Sequence, residues 1–86
     1  MRVLIPTPLR SYTANAAAVS AHGTTLDQLV SDLDRQYPGL RFRIIDEQGS
    51  IRPHIRFFVN RLATRDLASA LSENDEVMIV GALSGG

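Results

Sequence analysis

Apolar positions recur with period two near both ends of the chain and with helical period between them. In Arg2 to Pro6, Val3 and Ile5 fall on one side and Arg2 and Leu4 on the other. This predicts a first strand, closed by Pro6 and Pro8. Leu9 to Ala14 reads as a turn or loop. Asn15 to His22 is Ala-rich and short and precedes Gly23, which favours a second strand in a hairpin with the first. Leu26, Leu29, Val30, Leu33 and Tyr37 then make one apolar stripe at helical spacing. Thr24 with Asp27 resembles a capping box, which sets the helix at Thr24 to Tyr37. Pro38-Gly39 stops it.

Beyond the helix, Leu40 to Ile45 alternates loosely and Asp46 to Ser50 reads as a turn. Ile55 to Val59 predicts a strong strand, with Ile55, Phe57 and Val59 on one face and Arg56 and Phe58 on the other. Asn60-Arg61 predicts a tight turn, because Asn tolerates positive φ. Leu62 to Thr64 returns as a short strand, and Asp66 to Leu71 is short helical or irregular. Ser72 to Asp75 turns the chain into a last strand, Glu76 to Val80. Strands on both sides of one helix in sequence predict an α+β fold. The expected architecture is a mixed four- or five-stranded sheet with one long helix on one face. Residues 1–82 form the domain and 83–86 a flexible tail, because nothing periodic follows Val80.

Composition narrows the function classes. The chain has 86 residues, 44% apolar and 21% charged, which is one small globular domain with a small core. Nine basic and nine acidic residues cancel, so no charge excess draws in nucleic acid. Cysteine is absent, which excludes disulfides, thiolate metal sites and thiol catalysis. No apolar run approaches the ~20 residues of a bilayer span, and the N-terminal apolar stretch is too short for a signal peptide. A cytoplasmic protein without membrane association is the expectation. All nine basic residues are Arg, so the chain cannot accept an isopeptide bond on a side chain. Codon bias is the plainer account of that composition.

Most candidate residues have plain readings. His22 and His54 are isolated, without an i, i+3 or i+4 partner, so neither predicts a metal site or a general base. Gly23 and Gly49 lie outside any phosphate-binding pattern. Asp32-Leu33-Asp34 reads as a solvated helix face and Asp46-Glu47 as a turn. Arg41-Phe42-Arg43 is too short to argue for base stacking.

The chain ends Ser84-Gly85-Gly86 directly after a strand. Taken with Arg2-Val3-Leu4-Ile5-Pro6, the helix from Thr24 to Tyr37, His54 to Asn60 and Asn74-Asp75-Glu76-Val77, the whole sequence resembles the ThiS and MoaD sulfur carriers. These are ubiquitin-like β-grasp proteins. The long segment from Leu40 to Pro53 is more similar to MoaD and the cysteine-biosynthesis carriers than to the thiamine carriers. Two departures fall at Arg61 and Asn74, where the family often has Gly, and both substitutes are expected to tolerate the left-handed region. Pro is also common in the family near Gly81.

The resemblance implies that Gly86 is adenylated by an E1-like enzyme of the ThiF/MoeB kind, which uses the ATP. It further implies a thiocarboxylate on Gly86 that passes sulfur to a synthase. The chain itself is then substrate, with no catalytic residue, no bound cofactor and no metal. Two glycines without Cβ suit a tail that threads a narrow channel. A modifier joined through Gly86 to lysines of other proteins, or a module with an inert tail, are the other readings. Strand alternation leaves Leu4, Phe58, Met78 and Val80 facing outward, an expected docking patch. Arg2, Arg10 and Arg56 stems covering it, or a register off by one, would remove the patch.

Overall fold

A computed structural model describes residues 1–81. The elements in chain order are β1 (Arg2–Leu4), a 3-10 helix (Thr7–Thr13), β2 (Ala18–Ser20), α1 (Leu26–Gln36), α2 (Leu40–Ile44), β3 (Ile55–Val59), β4 (Leu62–Thr64) and β5 (Glu76–Gly81). The sheet order is β2-β1-β5-β3-β4. β5 runs parallel to β1, and the other neighbouring pairs are antiparallel. The sheet is therefore mixed and five-stranded, with its last strand inserted at the centre.

The strand parity read from the sequence sets the core. Val3, Ile5, Ile55, Phe57, Val77 and Ile79 are buried on one face of the sheet. Leu26, Leu29, Val30 and Leu33 of α1 complete the same cluster, each fully buried. Burial of one such side chain is worth roughly 1.5–3 kcal/mol, so the stripe fixes α1 to the sheet. Val59 was expected on this face and is only half-buried, because it lies next to the β3–β4 turn, at the rim of the core.

Several local readings are corrected. The N-cap of α1 is Thr25 and not Thr24: the Thr25 hydroxyl accepts from Gln28 N at 3.2 Å. Gln28 Oε1 in turn accepts from Thr24 N at 2.9 Å and from Thr24 Oγ1 at 2.7 Å. The box thus uses Gln28, and Asp27 is free to pair with Arg41 at 2.8 Å. Leu9 to Ala14 is not a loop but the second part of the 3-10 helix, which has Pro at its start and Ala14 in the left-handed region at its end. The second strand shrinks from Asn15–His22 to Ala18–Ser20, because Ala14 and Asn15 both have positive φ.

Leu40 to Ile44 is helical. Asp34 Oδ1 accepts from Gly39 N at 3.1 Å and from Arg41 N at 3.0 Å, so a side chain of α1 caps α2. Residues 66–71 are irregular, and they serve α1: Ser69 O accepts from Leu26 N and Leu67 O from Asp27 N. Those are donors that a helix start leaves without partners.

The β3–β4 hairpin closes through Asn60 (φ 50°) and Arg61 (φ 72°). Positive φ at both central residues is the type I′ requirement, which matches strand twist. Asn60 also ties the turn to β5, since its Nδ2 donates to Asp75 Oδ1 at 2.8 Å and its Oδ1 accepts from Glu76 N at 3.0 Å. Asn74 does not enter the left-handed region, contrary to expectation. Asp75 makes that corner instead, with its Oδ2 accepting from Ser72 N. Arg61 carries a left-handed cost of ~1–2 kcal/mol that Gly avoids, partly offset by the greater freedom of Gly in the unfolded chain. Arg61→Gly is expected to stabilise the fold by about 0.5–1 kcal/mol, read as a melting point a few degrees higher.

Three carboxylates have acidities set by this local wiring. The Asp32 carboxyl is held below its usual range first by the Arg35 guanidinium and then by the His22 N–H. Asp46 is lowered first by the Ser50 N–H, and Asp75 first by the Ser72 N–H and then by the Asn60 amide. A carboxylate whose folded pKa is depressed stabilises the fold above its unfolded pKa and loses that contribution as pH falls through the folded value. Melting temperature is therefore expected to hold between about pH 5 and 8 and to decline below about pH 4. Asn substitution at all three aspartates should flatten the acid limb.

Candidate functional site: the outer sheet face and the strand leading to the tail

The face of the sheet away from α1 is built by the strand positions that alternate with the core. In β5, Val77 and Ile79 are buried, and Met78 and Val80 between them are half-buried on the opposite face. The register places Met78 opposite Leu4 on β1 and opposite Phe58 on β3. Leu4, Met78 and Phe58 thus form one row across three neighbouring strands. Val80 lies two residues further along β5, opposite Arg56. The four positions singled out from the sequence are neighbours in space. Arg2 does not shield them: its guanidinium turns to Glu76 at 3.8 Å, at the start of β5.

A groove of about 650 Å³ continues this row toward the end of β5. Leu4, Met78, Val80 and Gly81 line its sheet side, and Pro6, Pro8 and Arg10 line the other. The second wall is the start of the 3-10 helix with its N-cap Pro6, where the sequence predicts a strand end at Pro6 and Pro8 and a loop from Leu9. Its signal was present: Pro6 and Pro8 bracket a helix start, where a missing N–H costs nothing. Arg10 Nε donates to Ile5 O at 3.0 Å, which anchors that wall to β1. Gly81, the last described residue, is among the lining residues. Ser84, Gly85 and Gly86, the expected reaction site, lie outside the described residues.

The remaining candidates keep structural roles. Asp32 and Asp34 are not merely solvated: they bind the His22 N–H and the start of α2. His22 is exposed and His54 half-buried. Among the described residues, no group of three or more His, Cys, Asp or Glu is placed to hold a metal ion. No helix among them is long and apolar enough to cross a membrane.

The ThiS family model matches residues 3–86. The chain belongs to the ThiS family. It is 37% identical to the sulfur carrier protein CysO of Mycobacterium tuberculosis, over 98% of this chain and 96% of the relative. The crystal structure of M. tuberculosis CysO superposes with a TM-score of 0.89 at 36% identity, covering 95% of this chain and 98% of that one. The crystal structure of an Amycolatopsis orientalis BexX/CysO complex matches with a TM-score of 0.90 at 28% identity, over 99% and 98% of the two chains. The ubiquitin-like β-grasp fold and the membership expected from the sequence are both borne out. Within the ThiS family, the long segment between α1 and β3 is a packed feature of this chain: Leu40, Ile44, Ile45 and Ile51 are all buried. Ile45 and Ile51 are joined by an isolated bridge around the Asp46 turn.

Proposed function

We infer that this chain is a sulfur carrier, the substrate of partner enzymes and not itself a catalyst. The observation that carries this reading is near full-length identity with sulfur carrier CysO, in a ThiS-family chain that ends in Gly-Gly. In the proposed cycle a Gly86 carboxylate oxygen attacks the α-phosphorus of ATP on an E1-like enzyme and pyrophosphate leaves. A sulfide equivalent then attacks the acyl carbon and AMP leaves, which puts sulfur in place of one oxygen. On the receiving synthase the thiocarboxylate sulfur displaces a leaving group from the acceptor's carbon, water then cleaves the thioester and restores the Gly86 carboxylate, and likeness to CysO favours a synthase of cysteine biosynthesis. ATP is consumed by the partner, so the carrier needs no bound cofactor. The test is intact mass after incubation with a ThiF/MoeB-like adenylating enzyme, ATP and sulfide. A gain equal to sulfur minus oxygen, mapped to Gly86, is expected. A gain elsewhere, or an adduct to a partner's lysine without thiocarboxylate, overturns the reading.

The row of Leu4, Phe58, Met78 and Val80 is the docking surface in this proposal. It is apolar, half-exposed and continuous with the strand that delivers the tail. That a CysO has been crystallised in complex with BexX supports docking of a whole protein on such a carrier. Phe58→Asp and Met78→Asp are expected to weaken binding to the adenylating enzyme by roughly thirty-fold, the ~2 kcal/mol of an interface anchor. Their melting points should shift little, because neither side chain belongs to the buried cluster. Calorimetric titration and thermal melts on the same samples check both halves.

A further inference from the structure

The charges of this chain cancel in sum but not in place. Arg2 pairs with Glu76, Arg35 with Asp32 and Arg41 with Asp27. Arg43 and Arg52 lie over the rings of Tyr12 and Phe42. Arg61 occupies the β3–β4 turn. The three remaining arginines gather where β5 ends. Arg10 reaches Ile5 O and lines the groove beside Val80 and Gly81. Arg56 Nη1 donates to the carbonyls of Pro53 and Ile55. Arg65 spans Ile55 O at 2.9 Å and Ile51 O at 3.0 Å. Ile55 is the residue that faces Gly81 in the β3–β5 register. Guanidinium groups therefore flank the end of β5 on both sides, Arg10 of the 3-10 helix on the β1 side, and Arg56 of β3 with Arg65, just past β4, on the β3 side.

Among the described residues, no carboxylate lies within ion-pair distance of any of the three. Asp66, next to Arg65, directs its Oδ1 to Ala68 N instead. Each guanidinium has five N–H donors and spends one or two of them on backbone carbonyls. The carbonyls fix where the cation sits and leave the other donors available. Such a group loses little further freedom when it meets an anion. At the opposite end of the same face, the Arg2–Glu76 pair neutralises the charge. Arg61 also lies at that end, next to Asn60, which bonds Asp75 and Glu76, so acidic groups offset the cations there and the end near Gly81 is the more positive one.

We propose that Arg10, Arg56 and Arg65 form a basic collar that recognises acidic side chains around the channel mouth of the adenylating enzyme. This rests on the carrier reading above. The chain from Gly81 to Gly86 spans at most ~20 Å, so any enzyme that engages Gly86 brings its surface within about that distance of the collar. Carboxylates at that mouth complement three cations that have no acidic partner among the described residues, and a tail presented in another orientation meets no such match. The collar acts on encounter and orientation, not on the chemistry at Gly86.

The probe is the adenylating enzyme that yields the thiocarboxylate in the mass assay, and the readout is its association rate at several NaCl concentrations. For the unmodified carrier the rate is expected to fall about ten-fold or more between roughly 20 and 500 mM NaCl, as screening shortens the reach of the charges. The Arg10→Gln/Arg56→Gln/Arg65→Gln variant should associate about ten-fold more slowly at low salt and respond little to NaCl. Its dissociation rate should stay within about three-fold, and thiocarboxylate should still form at saturating enzyme. Arg61→Gln removes one such charge at the far end of β3 and should leave the rate unchanged. If the triple variant does not fold, Arg10→Gln/Arg56→Gln leaves the two Arg65 bonds intact and should show an intermediate slope. An unchanged rate and salt slope in either variant overturns the collar, as does equal slowing by Arg61→Gln. Failure of the carrier reading is seen separately, as absence of sulfur on Gly86 in the unmodified chain, and the collar falls with it.

Discussion

Deletion of Gly86, or replacement of Gly85 by Val, is expected to abolish sulfur loading completely while leaving the melting temperature unchanged. The two halves of that result have separate causes. Among the described residues every buried core residue lies at or before Ile79, and β5 is paired with β3 through Gly81, so the fold is expected to survive a change at the last two positions. Loading depends on them entirely in the proposed cycle, because the carboxylate of Gly86 is the reacting group. A branched Cβ at position 85 would widen a segment that must pass bare through a channel and would restrict its φ to values glycine need not adopt. His22→Ala and His54→Ala should load normally, as neither imidazole takes part. Intact-mass spectra of the four variants, read beside their melts, check the prediction. Loading that survives loss of Gly86 would place the acceptor elsewhere.

The largest loss of stability from one added carbon is expected at Gly23→Ala. A Cβ built there would lie 2.5 Å from Leu29 N, 2.9 Å from Gln28 C and 3.0 Å from Leu29 Cα. All three atoms are α1 backbone, so no side chain can swing aside. The helix cannot retreat either, since Leu26, Leu29, Val30 and Leu33 are fully buried against the sheet. Overpacking of this kind costs about 3 kcal/mol. In a domain of this size that corresponds to a fall in melting temperature of roughly 12 to 24 °C. Gly49→Ala is the comparison, since nothing lies within 4 Å of a Cβ there, although its positive φ adds strain. A melt of Gly23→Ala within a few degrees of the parent would show that the β2–α1 link yields.

Both glycines were visible in the sequence, but only the structure ranks them. What the sequence carried well was periodic: the α1 stripe and the parity of β1, β3 and β5, which together fix the core and the outward row. What it carried poorly was short or held from a distance. α2 has five residues, too few to display a period, and its start is capped by Asp34 from another helix. The 3-10 helix has three residues per turn and few buried positions, so no α-helical stripe marks it. The capping shift from Thr24 to Thr25 turned on Gln28, whose longer side chain reaches back where Asp27 does not. The outward row was found because it alternates with the core. The groove beside it was missed because its second wall was read as a strand end and loop.

The central place of β5 also has a mechanical consequence. A tail gripped by a partner is a handle, and any pull on it is delivered to Gly81. β5 is paired with β3 from Val77 to Gly81 and with β1 from Glu76 to Met78, so a load directed along the strand enters the β3 ladder first and is shared by both ladders from Met78 inward. Bonds loaded together in shear must yield together. At an edge strand such as β4, bonded on one side only, a pull across the sheet breaks them one after another. In the proposed cycle, a partner that draws the tail taut would therefore load paired strands together rather than unravel the domain strand by strand.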